Sequence, residues 1–315
     1  MTTQPRVRID EGTVAFRGFR TWYRITRPTQ MPADGADRLP LLVLHGGPGI
    51  PHDYTRPIAD LLGADGRTVV HYDQLGCGRS SHPAEVPADF WTVSLFVEEL
   101  RNLVDRLDVL AGGFHLLGQS WGGMLASEYV LAHPDGVRSL VLCDSPASMP
   151  LWVAGTNELL TRLPAEVQAT VAAHEAAGTT DSAEYQAAVD VFYHRFLCTV
   201  DPYPADLAAS LAALDADPTV YRTMIGPSEF HVTGSLRDWS VVDRLPDIRV
   251  PTLVVAGEHD EATPAAWQPF AATIPDARAH VFVGASHTPH LEVPDQFADV
   301  VGGFLRTYDA LQRSN

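Results

Sequence analysis

The sequence contains no lysine. Its 22 basic residues are all arginine, set against 39 acidic ones, for a formal net charge of −17. A chain so poor in positive charge is badly suited to nucleic acid or to an anionic membrane surface, both of which are bound through phosphate contacts from basic side chains. Cysteine is also scarce. Cys77, Cys143 and Cys198 are an odd set that cannot all pair within one chain, which suits a reducing compartment. No stretch approaches the roughly 18 apolar residues that a membrane-spanning helix needs. Met1 to Asp10 is polar and has no apolar segment of the signal-peptide kind. No cluster of Cys and His has the spacing of a metal site. These absences lead us to expect a cytoplasmic protein without metal or other cofactor.

What is present is 315 residues of ordinary hydrophobic content, 45%, enough for one large core with a smaller attached unit. Short apolar runs at 39–45, 68–72, 114–117 and 137–143 are apolar on both faces, as buried parallel strands are. Between them Phe96, Val97, Leu100, Leu103, Val104 and Leu107 recur at helical spacing. A second helix should follow Ser120 and run to about His133, and residues 12–27 should form antiparallel strands ahead of the parallel set. After Pro146 the pattern changes. To about Gly226 the chain is alanine-rich and helical, with helices expected at 164–177 and 183–197 and Pro202, Pro204 and Pro218 punctuating the remainder. Strand and helix then alternate again: strands at 252–256 and 280–283, helices at 264–272 and 294–311. The expected class is α/β, a mostly parallel sheet flanked by helices, with core segments 1–146 and 238–315 and a helical insertion at 147–237.

Gly118-Gln119-Ser120-Trp121-Gly122 has the G-x-S-x-G form. It follows an apolar strand and opens a helix rich in small residues, the context of a strained turn that lifts a serine hydroxyl above the sheet edge. A serine is a weak nucleophile and needs a base. In this fold the order along the chain is serine, acid, histidine, and Asp260 and His287 follow two later strands, at the carboxyl ends where ligands bind in open parallel sheets. Asp260 would fix the tautomer of His287 and stabilise the imidazolium as it forms. Glu258, Asp276, His259 and His290 lie close in sequence and are the competing choices. The developing oxyanion needs preorganised N–H donors. One should be Trp121 N–H. The other should come from His45-Gly46-Gly47-Pro48-Gly49, through Gly47 or Gly46. A carboxylate-based epoxide hydrolase or dehalogenase is disfavoured because the turn carries serine, and a receptor has no need of all three residues.

In these motifs the chain resembles the prolyl iminopeptidase family of α/β-hydrolases, which includes the tricorn-interacting aminopeptidases. The matching stretches are His45-Gly46-Gly47-Pro48-Gly49, Asp73-Gln74-Leu75-Gly76-Cys77-Gly78-Arg79-Ser80, Gly118-Gln119-Ser120-Trp121-Gly122-Gly123, the segment 257–264, and Gly226-Pro227-Ser228-Glu229-Phe230. The resemblance implies an α/β-hydrolase fold whose insertion acts as a cap. It implies a serine aminopeptidase acting on a small peptide or aminoacyl amide with a free amino terminus. It also implies that Glu229 and Glu261 bind the substrate's α-ammonium, which is mostly cationic at neutral pH. An amidase that removes an aminoacyl group from a specialised small molecule, or a carboxylesterase, are the alternatives. Cys77, tempting as a thiol, is expected to be a small structural residue. Trp152, Leu159, Phe192, Tyr193 and Phe196 are the cap side chains available to line a pocket.

Overall fold

The computed structural model describes residues 7–29 and 35–309, so the first six residues and the expected end of the closing helix at Leu311 lie outside the described residues. Eight strands form one sheet: β1 (Val7–Phe16), β2 (Phe19–Pro28), β3 (Leu41–Leu44), β4 (Val69–Asp73), β5 (Phe114–Gln119), β6 (Val137–Cys143), β7 (Thr252–Gly257) and β8 (Ala277–Phe282). Their order across the sheet is β1-β2-β4-β3-β5-β6-β7-β8. The β1–β2 and β2–β4 pairs are antiparallel and the remaining pairs parallel.

The central strands are almost wholly buried and mostly apolar because both faces are covered. Successive residues point to opposite layers. Leu42, Leu44, Leu116, Leu140 and Val254 pack on one side with α2 (Val93–Arg106) and α3 (Trp121–Ala132). Leu41, Val43, Leu117, Val141 and Val255 pack on the other with α1 (Pro57–Gly63) and the closing helix. The strand expected at 280–283 is displaced to Ala277–Phe282. It lies at the sheet edge, where its exposed residues blur the apolar signal, and Val283, which had suggested strand, is 72% exposed beyond its end.

Between β6 and β7 the described chain has five α-helices, a short 3-10 helix at Val242–Asp247 and no strand: α4 (Met149–Leu160), α5 (Ala165–Ala177), α6 (Ala183–Phe196), α7 (Ala205–Ala216) and α8 (Thr219–Met224). Their own small core joins Leu159, Val171, Tyr185, Val189, Phe192 and Phe230. Only α5 and α6 were legible as helices. Pro204 and Pro218 turn out to occupy the N-cap positions of α7 and α8, where proline starts a helix rather than breaking one. After β7 follow α9 (Pro264–Thr273), α10 (Pro289–Glu292) and α11 (Pro294–Asp309). Among the described residues no helix is long and apolar enough to cross a membrane.

Candidate active site

Ser120 sits between β5 and α3 with φ 55° and ψ −124°, in a region that non-glycine residues rarely adopt. The neighbouring glycines explain how the turn is tolerated. A Cβ on Gly118 would overlap the Gly122 carbonyl, one on Gly122 the Leu44 carbonyl, and one on Gly123 the Ser145 hydroxyl. Only glycine lets these backbones approach so closely. Ser120 N–H donates to Cys143 O at 2.9 Å, tying the turn to the end of β6.

Asp260 and His287 come from the loops after β7 and β8. His287 Nδ1 and Asp260 Oδ1 are 2.6 Å apart, and the same oxygen accepts Ala262 N–H at 2.7 Å. Both side chains are buried. Burial alone would lower the pKa of His287, but Asp260, then Glu261, and then Glu229 outweigh it and raise it to about 9. The competing residues go elsewhere. Glu258, His259 and Asp276 are exposed. His290 is buried against Tyr54 O, 3.0 Å from its Nε2, and burial lowers it to about 4.

The glycine loop after β3 faces the serine. Gly46 N–H donates to Tyr54 Oη at 2.7 Å. That N–H is therefore engaged, which counts against the expectation that Gly46 serves as an oxyanion donor. Neither Gly47 N–H nor Trp121 N–H donates to another described residue. Tyr54 Oη donates in turn to Gln119 Oε1, and Gln119 Nε2 donates to His287 O at 2.9 Å, so one chain of hydrogen bonds joins the glycine loop, the serine turn and the histidine loop. The Asp73–Ser80 turn supports this arrangement. Gln74 Oε1 accepts the Trp121 indole N–H at 2.8 Å, and Gln74 N–H donates to His45 Nε2 at 3.0 Å. Cys77 is buried in that turn, its thiol pKa pushed well above the usual range by burial, as suits a structural residue.

Ser120, His287, Glu229 and Glu261 line one cavity beneath the helical insertion. Glu261 is 1% exposed, so it is no solvated helix-start charge. Burial raises its pKa, with Glu229 and Asp260 adding to the effect and His287 opposing it. Glu229 Oε1 accepts a hydrogen bond from Tyr221 Oη at 2.7 Å; burial raises its pKa, partly offset by that bond and by His287. Of the five cap side chains named from sequence, Tyr193 lines this cavity and Trp152 stands edge-on to the His287 ring at 5.7 Å. Leu159, Phe192 and Phe196 instead belong to the cap's own core. The remaining wall is apolar, with Ile50, Leu207, Leu211 and Leu214.

Besides Tyr54, two further residues of the site carry little or no mark in the sequence. Tyr221 carried no signal, being one tyrosine of a short helix. Asp144 could have been noticed, since it ends a buried strand on the serine side of the sheet. It is fully buried, with φ 52°, and its Oδ1 accepts Gly257 N–H at 3.2 Å. Burial, then Asp260, push its pKa well above the carboxylate range. Asp144 Oδ2 and Asp260 Oδ2 are both buried without a hydrogen-bond partner.

The profile of the alpha/beta hydrolase fold matches residues 40–294. The proline iminopeptidase of Heyndrickxia coagulans is 37% identical over 273 residues, 85% of this chain and 91% of the relative. That of Thermoplasma volcanium is 32% identical over 298 residues, 95% and 97% of the two chains. Among solved structures, the proline iminopeptidase of Mycobacterium smegmatis superposes with a TM-score of 0.86 at 51% identity, covering 95% of this chain and 99% of the other. The protein VinJ superposes with a TM-score of 0.89 at 48% identity and the same coverage.

Proposed function

This chain belongs to the proline iminopeptidase family of α/β-hydrolases, and we propose that it is a serine aminopeptidase that releases the first residue of a substrate with a free amino terminus. The observation that carries this reading is the pairing of Glu229 and Glu261 in the cavity of Ser120, with no arginine among the described residues that line it. Two carboxyl groups facing one small space call for a cation, and an α-ammonium one carbon removed from the scissile carbonyl supplies it.

In the proposed reaction Ser120 Oγ adds to the carbonyl carbon of the first residue while His287 takes its proton. Trp121 N–H and Gly47 N–H stabilise the oxyanion. The C–N bond then breaks, and His287 gives its proton to the leaving amine. Water attacks the acyl carbon with His287 again as base, and the free amino acid departs as Ser120 recovers its proton. Asp260 holds His287 Nδ1 throughout. Residues 147–237 act as the cap that brings Glu229 over the site. The site is assigned no metal role, and a cytoplasmic peptide or aminoacyl amide is the proposed substrate.

A second reading keeps the chemistry and changes the leaving group. The leucines at 207, 211 and 214 make one wall apolar, which favours an aminoacyl amide of an apolar small molecule over a polar peptide. Hydrolysis of a panel of aminoacyl anilides, each beside its N-acetylated form, tests the main reading. Cleavage confined to the free amines supports it, and equal cleavage of both forms would mean a general amidase or esterase. Amides of long-chain amines in the same panel address the second.

A further inference from the structure

His287 Nε2 is the atom that must accept the serine proton, yet the polar contact it makes is with a carboxyl group and not with Ser120. Glu261 Oε1 stands 3.6 Å from it, while Ser120 Oγ makes no hydrogen bond to His287 among the described residues. Most of the other groups facing this histidine are also acidic; the exception is His290 on α10, which burial lowers to about 4. Asp260 holds Nδ1, Glu229 faces it from the cap, Asp144 lies behind Asp260, and Glu292 accepts hydrogen bonds from Ser286 and Thr288 on either side. Trp152 and the phenols of Tyr193 and Tyr221 complete the surroundings and add no positive charge. Among the described residues that line this cavity, His287 is the one side chain able to carry a positive charge beside these carboxyl groups.

A protonated His287 is no base, so the arrangement that satisfies the carboxylates also silences the serine. An α-ammonium placed between Glu229 and Glu261 changes the balance. It supplies the cation those carboxylates call for, and it repels a second positive charge on His287. We propose that Glu261 is a charge gate: it pairs with the His287 imidazolium until a substrate ammonium replaces that partner, whereupon His287 sheds its proton to solvent and can accept the one from Ser120. The proton count balances: imidazolium and ammonium enter, neutral imidazole, bound ammonium and one solvated proton result. Selection of the amine is then exerted on the chemical step as well as on binding. This inference rests on the aminopeptidase reading and goes beyond it, since ammonium recognition alone requires no change in His287.

The test uses the benzyl esters of alanine and of propionate, which differ only in the α-amino group. Because kcat reports the ionisations of the bound complex, the acidic limb of kcat for the propionate ester should lie at higher pH than that for the alanine ester. Glu261→Gln should bring the propionate limb down towards the ordinary histidine range and raise its kcat at pH 7 roughly tenfold for each unit of lowered pKa. Calorimetric titration of the wild type with alaninol, in two buffers of different ionisation enthalpy, should show a proton released at pH 7. Coincident limbs for the two esters in the wild type, or alaninol binding with no proton released, overturn the gate without recourse to any variant. A Glu261→Gln enzyme that loses alanine preference while its propionate limb stays in place overturns the gate and leaves the aminopeptidase reading intact. Equal kcat/KM for the two esters in the wild type removes both.

Discussion

Tyr221 Oη donates to Glu229 Oε1 at 2.7 Å, so a phenol on α8 holds the cap carboxylate over the serine cavity. Burial, and then Glu229, push the Tyr221 pKa well above its usual range, which keeps the phenol a donor. Tyr221→Phe should leave the fold intact and deprive Glu229 of its partner. A hydrogen bond to a charged group contributes about 1.5–3 kcal/mol, so kcat/KM for aminoacyl anilides should fall roughly 10- to 100-fold. Hydrolysis of the propionate ester should change little, and an equal loss on both substrates would show that Tyr221 serves packing instead.

Replacing the proposed nucleophile gives the plainest check. Ser120→Ala should lower kcat by roughly 10⁴-fold or more in a folded protein. Asp260→Asn should cost a comparable factor, on the order of 10⁴, because the amide cannot hold the productive histidine tautomer. Circular dichroism and melting temperature separate these losses from misfolding. Near-normal turnover in Ser120→Ala would end the assignment.

Asp144 supplies a prediction of near-silence. Its carboxyl is raised well above the usual range and stays protonated beside Asp260, so Asp144→Asn preserves both charge and shape. Activity should hold within a factor of a few. Asp144→Ala removes the acceptor of Gly257 N–H and should cost about 1–3 kcal/mol in a denaturant titration. A large loss of activity in the asparagine variant would show that an ionised Asp144 is required.

Glu99 carries a pH signature far from the site. It is fully buried on α2, accepts Leu75 N–H at 3.0 Å and a bond from the Thr21 hydroxyl, and burial raises its pKa to about 7. The folded pKa therefore exceeds the unfolded one. Below about pH 4.3 both states hold the proton and no difference arises. Between there and pH 7 the unfolded chain ionises first, so this group's contribution to stability is lost as pH rises, by up to about 3 kcal/mol. Glu99→Gln should remove that loss. Its melting temperature relative to the wild type should climb between pH 5 and pH 8, and a pH-independent offset would contradict the assignment.

The parts of this site that were legible in sequence are those carried by local backbone requirements. Gly118, Gly122 and Gly123 flank Ser120 because neighbouring chains leave no room for a Cβ, and such a constraint marks the sequence directly. Asp260 and His287 were legible because they follow recognisable strands. Tyr221, Asp144 and Tyr54 were not, since each acts through a partner 8, 113 or 65 residues away and no short spacing records such a contact. The helices α7 and α8 were hidden for another reason. Their prolines stand at helix starts, where the same residue that ends one helix begins another.

The carbonyl oxygen of Phe196, at the end of α6, accepts two hydrogen bonds: from Glu261 N–H at 3.3 Å and from His287 N–H at 3.2 Å. A single cap atom thus sutures the loop of Asp260 and Glu261 to the loop of His287. The cap is in that sense no detachable roof. Trimming α6, or transplanting another relative's insertion for a new substrate range, would unstitch His287 from Glu261 before any new pocket had formed. Redesign has freer rein at Leu211 and Leu214 of α7, which meet the cavity, than at Ser210 of the same helix, which accepts Tyr54 N–H at 2.9 Å.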